Sequence, residues 1–206
     1  MSYLRFFTSP MSRGRIVRWM LEEVGCAYDT TLVAFDAPRP DVLLAANPMG
    51  KVPTIIHGDR VVTEGAAICA YLADAFPEAG LAPAPQDRAD YYRWLFFAAS
   101  PLEYAVTHKA MGLEMPSDRE IQVGYGNYAR AMDTLEMAVS GRTFVAGDSF
   151  SAADVYLGSQ VGWGLAFGTI EPRPAITAYW AGLKDRPAKL RADRIDDALM
   201  PQDNPA

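Results

Sequence analysis

Ser12 lies in the segment Thr8-Ser9-Pro10-Met11-Ser12-Arg13, between an alternating run, Tyr3-Leu4-Arg5-Phe6-Phe7, and a helix-like pattern. A hydroxyl at a helix start has two uses. It can accept a hydrogen bond from a first-turn N–H, a cap that contributes about 1 kcal/mol. It can also donate to an anion held at the same N-terminus, beside exposed N–H groups and the positive end of the helix dipole. A thiolate is such an anion. An ordinary thiol titrates near 8.5, and a stabilisation of about 2.7 kcal/mol makes it largely ionised at pH 7. Ser9 is the alternative hydroxyl, and Arg13 or Arg15 are alternative electrostatic partners. The turn holds no cysteine and no tyrosine, which speaks against thiol–disulfide exchange or a phenol donor there.

A second constellation is Asn47-Pro48-Met49-Gly50-Lys51-Val52-Pro53-Thr54-Ile55-Ile56, followed by Val61-Val62-Thr63-Glu64-Gly65-Ala66-Ala67-Ile68. Asn-Pro and Met-Gly mark a tight loop. Val-Pro-Thr-Ile-Ile reads as a short strand led by a proline, which is tolerated where no ladder donor is needed. Gly58-Asp59 suits a hairpin turn, Val61-Val62 the returning strand, and Glu64-Gly65 the start of a helix. This leaves the Val52 backbone free to pair with an extended peptide. The helix start beside it would hold a carboxylate.

The elements that must position these groups follow from periodicity. Ile16, Val17, Met20, Leu21 and Val24 recur at helical spacing, with Ser12 a possible N-cap and Gly25 a plausible C-cap. Tyr28 to Val33 reads as a strand. A proline-rich loop, 36–40, precedes a short helical piece ending at Ala46, and a helix runs from Ala66 to Phe76. The order βαβαββα predicts a small α/β sandwich over residues 1–78. Residues 79–87, rich in Pro, Gly and Ala, read as a linker. Only helical patterns follow, over 88–206. The first begins with Tyr91, Trp94 and Leu95, and Pro101 should kink it. Another should start at Met115-Pro116-Ser117-Asp118, with Tyr125, Tyr128, Met132, Leu135 and Val139 on one face, although Gly124 and Gly126 disfavour it. Further helices are expected over about 151–167 and 173–184, and after Pro187. Ser151-x-x-Asp154 is a variant capping box, with Phe150 and Val155 placed as a staple.

The chain has 206 residues and a net charge of −6, with no basic block. Nucleic acid is therefore a poor partner. No apolar stretch approaches the ~20 residues of a membrane span, and the N-terminal residues lack a signal-peptide core, so a cytoplasmic protein is expected. Two cysteines, Cys26 and Cys69, and two histidines, His57 and His108, make a metal site or a disulfide framework improbable. Both cysteines read as packing residues, and His108 reads most simply as a surface histidine.

The Val52-Pro53 and Glu64-Gly65 steps, with Phe150-Ser151-Ala152-Ala153-Asp154 at family-like separation, resemble the glutathione S-transferase family over the whole chain. Pro10-Met11-Ser12-Arg13 is similar to the turn of its bacterial, serine-type members. The resemblance implies a thioredoxin-like, glutathione-binding N-terminal domain followed by an all-α domain that lines the electrophile site. It implies a cis Pro53 and pairing of the Val52 backbone with the cysteinyl unit. Lys51 would take the glycyl carboxylate, and Glu64 and Gly65 the γ-glutamyl end. Ser12 would stabilise the thiolate, with Tyr104, His108 and Met111 on the electrophile side. Many members carry serine where Gly65 stands, so a hydroxyl contact is lost here. The implied enzyme conjugates glutathione, as co-substrate, to a small hydrophobic electrophile. It needs no permanently bound cofactor and works as a homodimer. Glutathione-dependent reduction of peroxides or disulfides, and a catalytically weak glutathione-binding or regulatory protein, are the alternatives.

Overall fold

The computed structural model describes residues 3–200. Four strands, β1 (Leu4–Thr8), β2 (Asp29–Leu32), β3 (Thr54–His57) and β4 (Arg60–Thr63), form one sheet in the order β2-β1-β3-β4. β2 runs parallel to β1, whereas β3 and β4 are antiparallel to their neighbours. Helices α1 (Gly14–Val24), α2 (Asp41–Ala46) and α3 (Gly65–Ala75) complete the expected βαβαββα order. This is a thioredoxin-like arrangement. The central strand is covered on both faces, and side-chain alternation along a strand sorts its aromatics. Phe6 lies under the guanidinium of Arg18 from α1, and Phe7 packs with Val33 and with Leu43 of α2.

The local signals act where expected. Gly25 ends α1 in the left-handed region, with its N–H on the Leu21 carbonyl, and Gly58-Asp59 turns β3 into β4. α1 itself starts two residues after Ser12, and Arg13 occupies the capping position without a side-chain bond.

The molecule divides into two compact units. Residues 80–185 form the helical one, with α4 (Ala89–Phe97), α5 (Glu103–Ala110), α6 (Tyr128–Val139), α7 (Ala152–Ala166) and α8 (Pro174–Leu183). Pro101 sits in a π-helical turn, Ala98–Leu102, between α4 and α5. A wider turn absorbs the N–H that proline lacks. The helix expected from Met115 does not form there. Residues 111–127 are turns with one short 3₁₀ segment, Glu120–Gln122, and α6 begins only at Tyr128, capped by Asn127 Oδ1 on the Arg130 N–H at 2.9 Å. Gly124 and Gly126 precede this start, and Gly126 adopts φ 67°, a conformation that a continuing helix excludes.

The final helix, α9 (Pro187–Ala198), groups with the first unit, although the sequence reading runs the helical domain through to residue 206. It packs along α1 through Arg18–Asp196 (3.1 Å), Arg15–Asp197 (2.6 Å), Arg186–Glu23 (2.7 Å) and Arg191–Glu22 (3.1 Å). Tyr28, whose phenol burial pushes up to about 12, donates to Glu22 at 2.8 Å at the edge of this network. Among the described residues no helix is long and apolar enough to cross a membrane.

Asp154 organises the helical unit. Its Oδ2 accepts from the Ser151 N–H and hydroxyl, both at 3.0 Å, and its Oδ1 from the Val145 N–H (2.7 Å) and the Tyr179 hydroxyl (2.9 Å). Burial pushes this carboxyl upward, and the four donors pull it back. Asp154→Ala leaves four buried donors without an acceptor. It should cost about 2–5 kcal/mol, read as a lowered urea midpoint of the helical unit, whereas an unchanged midpoint would show that water replaces the carboxylate.

Candidate functional site

Strand register places the candidate residues side by side. Phe7 of β1 is opposite Thr54 of β3, and Thr54 is opposite Thr63 of β4. The turn that follows β1, the Val52-Pro53 step that precedes β3 and the Glu64-Gly65 step that follows β4 therefore lie at one end of the sheet. From β1 to β4 is two interstrand spacings, roughly 10 Å, about the reach of three extended residues.

In the β1–α1 turn, Ser12 Oγ donates to the Ser9 carbonyl at 2.7 Å and accepts from the Gly14 N–H at 2.9 Å. Ser12 is half-buried and Ser9 buried, with its Oγ 3.5 Å from the Met11 N–H. Arg13 is exposed. Arg15 is engaged elsewhere: its Nε donates to the Pro10 carbonyl and its Nη2 to Asp197, both at 2.6 Å. Of the two arginines considered as partners for a thiolate, Arg15 instead ties the turn to α9.

The Val52–Pro53 bond is cis. Val52 turns its side chain onto the cluster of Phe7, Val33 and Leu43, and its backbone N–H and C=O form no hydrogen bond among the described residues. Three polar side chains hold the approach to it. Asn47 Nδ2 donates to the Lys51 carbonyl (3.1 Å) and to Thr54 Oγ1 (3.2 Å). Thr54 Oγ1 donates to the same carbonyl (3.0 Å), and Arg39 Nε to the Gly50 carbonyl (3.2 Å). Asn47 and Thr54 are buried, so their bonds are strongly enforced. Their role was hidden in the sequence, where Asn47 read only as a loop marker. Lys51 itself projects into solvent.

Glu64 adopts φ 65°, ψ 117° and is the one non-glycine residue at positive φ among the described residues. Such strain of about 1–3 kcal/mol is retained mostly where function needs it. α3 begins immediately after with no side-chain cap, so its first N–H groups remain available to an anion.

Comparison with known proteins agrees with this geometry. The model of the glutathione S-transferase N-terminal domain matches residues 8–75, a span that includes all of the sheet-end segments. Glutathione S-transferase A of Pleuronectes platessa is 28% identical over 174 residues, covering 79% of this chain and 77% of its own. Glutathione S-transferase 3 of Zea mays is 27% identical over 205 residues, covering 91% and 92%. A solved sphingomonad glutathione S-transferase complexed with glutathione superimposes with a TM-score of 0.76 at 28% identity, covering 94% of this chain and 98% of its own.

Over residues 8–75 the chain matches the glutathione S-transferase N-terminal domain, and over most of its length it is similar to glutathione S-transferases. The helical unit carries a cavity of about 350 Å³, built from α5, the 111–127 segment and the start of α6. His108, Lys109, Leu113, Met115, Tyr125 and Tyr128 are among its walls. His108 is half-buried, not a free surface group, and its Nδ1 lies 2.8 Å from the Tyr125 hydroxyl. Tyr104 is 57% exposed and contacts the His108 ring. Met111 is 66% exposed and is not part of the cavity wall. Tyr125 was assigned to a helix face by periodicity, and it emerges as a cavity residue because that helix starts later. Cys26 and Cys69 lie outside the turn, and burial pushes both thiols up, opposite to what a nucleophilic thiolate needs.

Gly14 is required by close approach: a Cβ there would stand 1.9 Å from Thr8 Oγ1. Helix propensity alone would make Gly14→Ala stabilising by up to about 1 kcal/mol. The clash instead predicts a loss of about 1–3 kcal/mol and a displaced β1–α1 turn, checked by chemical denaturation. A gain in stability would show that Thr8 can rotate away.

Proposed function

We propose that this chain is a glutathione transferase whose thiolate is stabilised by Ser12, a serine-type member of its family. The observation that carries the reading is the alignment, at one sheet end, of a hydroxyl-bearing turn, a free strand-like backbone and an uncapped helix N-terminus. Val52 would pair through its N–H and C=O with the cysteinyl unit of glutathione. The γ-glutamyl carboxylate would meet the N–H groups of Gly65 and the first turn of α3, with Glu64 on the ammonium and Lys51 on the glycyl carboxylate. Glutathione is then a co-substrate.

The thiol chemistry falls to the β1–α1 turn. The Gly14 N–H already donates into Ser12 Oγ, which polarises the hydroxyl as a donor. When a thiolate arrives, the hydroxyl turns from the Ser9 carbonyl to the sulfur, a charge-assisted bond worth about 1.5–3 kcal/mol. The sulfur then forms a C–S bond to a small hydrophobic electrophile, and the leaving group departs with the electron pair of the broken bond. We assign the electrophile to the helical unit, with Tyr104, His108 and Met111 on its side. Residues 1–78 serve as the glutathione-binding domain and 79–87 as the linker. The protein acts as a cytoplasmic homodimer.

Two substitutions separate binding from activation. Ser12→Ala should raise the apparent pKa of bound glutathione, followed by thiolate absorbance against pH, by about 1–2 pH units. Turnover of an aryl halide at saturating glutathione and pH 7 should fall about 10–100-fold. A titration unchanged by Ser12→Ala but moved by Ser9→Ala would transfer the role to Ser9. Glu64→Ala should raise the glutathione dissociation constant about tenfold while leaving turnover at saturation within about threefold, because its contact exists before and during reaction. Unchanged affinity by calorimetry would reduce Glu64 to a helix-end acid.

A further inference from the structure

Arg15, on the first turn of α1, reaches in two directions. Its Nε donates to the Pro10 carbonyl and its Nη2 to Asp197 Oδ1, and Asp193 Oδ1 lies 4.0 Å from Nη1. A guanidinium is a planar fork, so fixing one side on a carboxylate fixes where the other side points. The Pro10 carbonyl lies inside the turn that presents Ser12. The turn's own bonds are local: the Ser12 N–H and hydroxyl both reach the Ser9 carbonyl, and the Gly14 N–H reaches Ser12 Oγ. Arg15 connects this self-closed turn to a helix 182 residues further along the chain.

We propose that Arg15 is a positioning residue for thiol activation: Asp197 of α9 aims its guanidinium, the guanidinium holds the Pro10 carbonyl, and the turn is thereby kept where Ser12 meets the sulfur. This rests on the role given to Ser12 above. Asp197 is 65% exposed, and exposed ion pairs add little net stability. The contribution of the pair is therefore geometric. It makes the C-terminal helix part of the apparatus that sets thiol reactivity.

The alternative is that Arg15 acts merely as a positive charge near the sulfur, and the two roles differ in sign. The charges facing Arg15 from α9 are Asp193, Asp197 and the buried Asp196, with Arg18 one turn along on α1. If Arg15 acts by charge, removing the Asp197 carboxylate leaves it less neutralised and the thiol pKa falls. If it acts by holding Pro10, the same change loosens the turn, weakens the Ser12 contact and raises the thiol pKa.

The experiment compares full-length Asp197→Ala, Asp197→Asn and Arg15→Lys with wild type. Asp133→Ala serves as control, removing a carboxylate 2.7 Å from Arg173 in the helical unit. Amide hydrogen exchange is followed at Ser12 and Gly14 without glutathione, and the bound thiol is titrated with it. Exchange at both amides should speed up about 5–10-fold in the Asp197 variants, and the thiol pKa should rise by about 0.5–1 pH unit. Arg15→Lys should move both in the same direction although the charge is kept, and Asp133→Ala should move neither. A lowered thiol pKa in Asp197→Ala, unchanged exchange in both Asp197 variants, or faster exchange with an unmoved thiol pKa would each overturn the proposal. If the wild-type protein bound no glutathione, the proposed function would fall. The exchange rates without glutathione would still decide whether α9 holds the turn, and equal rates would overturn that separately.

Discussion

A guanidinium cannot be buried alone. Arg18 of α1 and Asp196 of α9 are each 1% exposed and meet at 3.1 Å. Arg18 Nη1 donates to Thr30 Oγ1 at 2.8 Å and to the Tyr28 hydroxyl at 3.3 Å, and the guanidinium lies over the face of Phe6 at 5.1 Å. Among the described residues, Arg18 Nη2 and Asp196 Oδ2 have no hydrogen-bond partner. Burial pushes the Asp196 carboxyl up, and Arg18 opposes it. Such a pair contributes little against a hydrophobic replacement, but removing one member costs about 3–5 kcal/mol because the other is left uncompensated. It acts as a register pin. Once α9 must deliver Asp196 to this point, its neighbours one helical turn and one residue away, Asp193 and Asp197, stand beside Arg15. The N-terminal half of the helix reaches Glu22 through Arg191, and its cap residue Arg186 reaches Glu23.

That pin locates α1, and α1 locates the β1–α1 turn. The other two parts of the site are located by the sheet. Phe7, Thr54 and Thr63 stand in one row, so the three functional segments cannot drift apart without breaking strand pairs. The strained Glu64 and the buried Asn47–Thr54 bonds then fix orientation within each segment. Most of what this site offers a peptide is backbone: the Val52 amide unit, the first N–H groups of α3, and the Gly14 N–H behind Ser12.

This explains which features the sequence made legible. Signals that act over a few residues are read correctly. Gly25 ends its helix, Gly58-Asp59 turns its hairpin, Pro101 disturbs its helix, and Ser151-x-x-Asp154 opens α7. The Val-Pro and Glu-Gly steps are equally local, and they carry the functional reading. What escapes is decided by partners far away in sequence. Nothing near Arg18 announces Asp196, and nothing in Pro187–Ala198 distinguishes packing on α1 from packing within the helical unit. Asn47 reads as a turn residue because its side-chain role depends on Thr54 and Lys51 folding back. The helix start at residue 128, not 115, is a case of two local signals in conflict: periodic apolar residues favour helix, Gly124 and Gly126 oppose it, and the glycines prevail.

The same division between backbone and side chain bears on how such a site persists at low identity. A relative at 27–28% identity over most of the chain can replace most residues around Val52 and α3 without removing a single donor, because the donors are peptide groups. Gly65 illustrates the tolerance: glycine keeps the N–H that an anion needs and gives up only a hydroxyl. Ser12 is different. The role proposed for it uses a side-chain hydroxyl, bonded to the Ser9 carbonyl and the Gly14 N–H in a turn whose Pro10 carbonyl is held by Arg15. Gly14 in turn is fixed by the space Thr8 leaves. The proposed peptide recognition therefore rests on the sheet, which many sequences can build. The proposed thiol activation rests on a short chain of specific side chains that ends in α9.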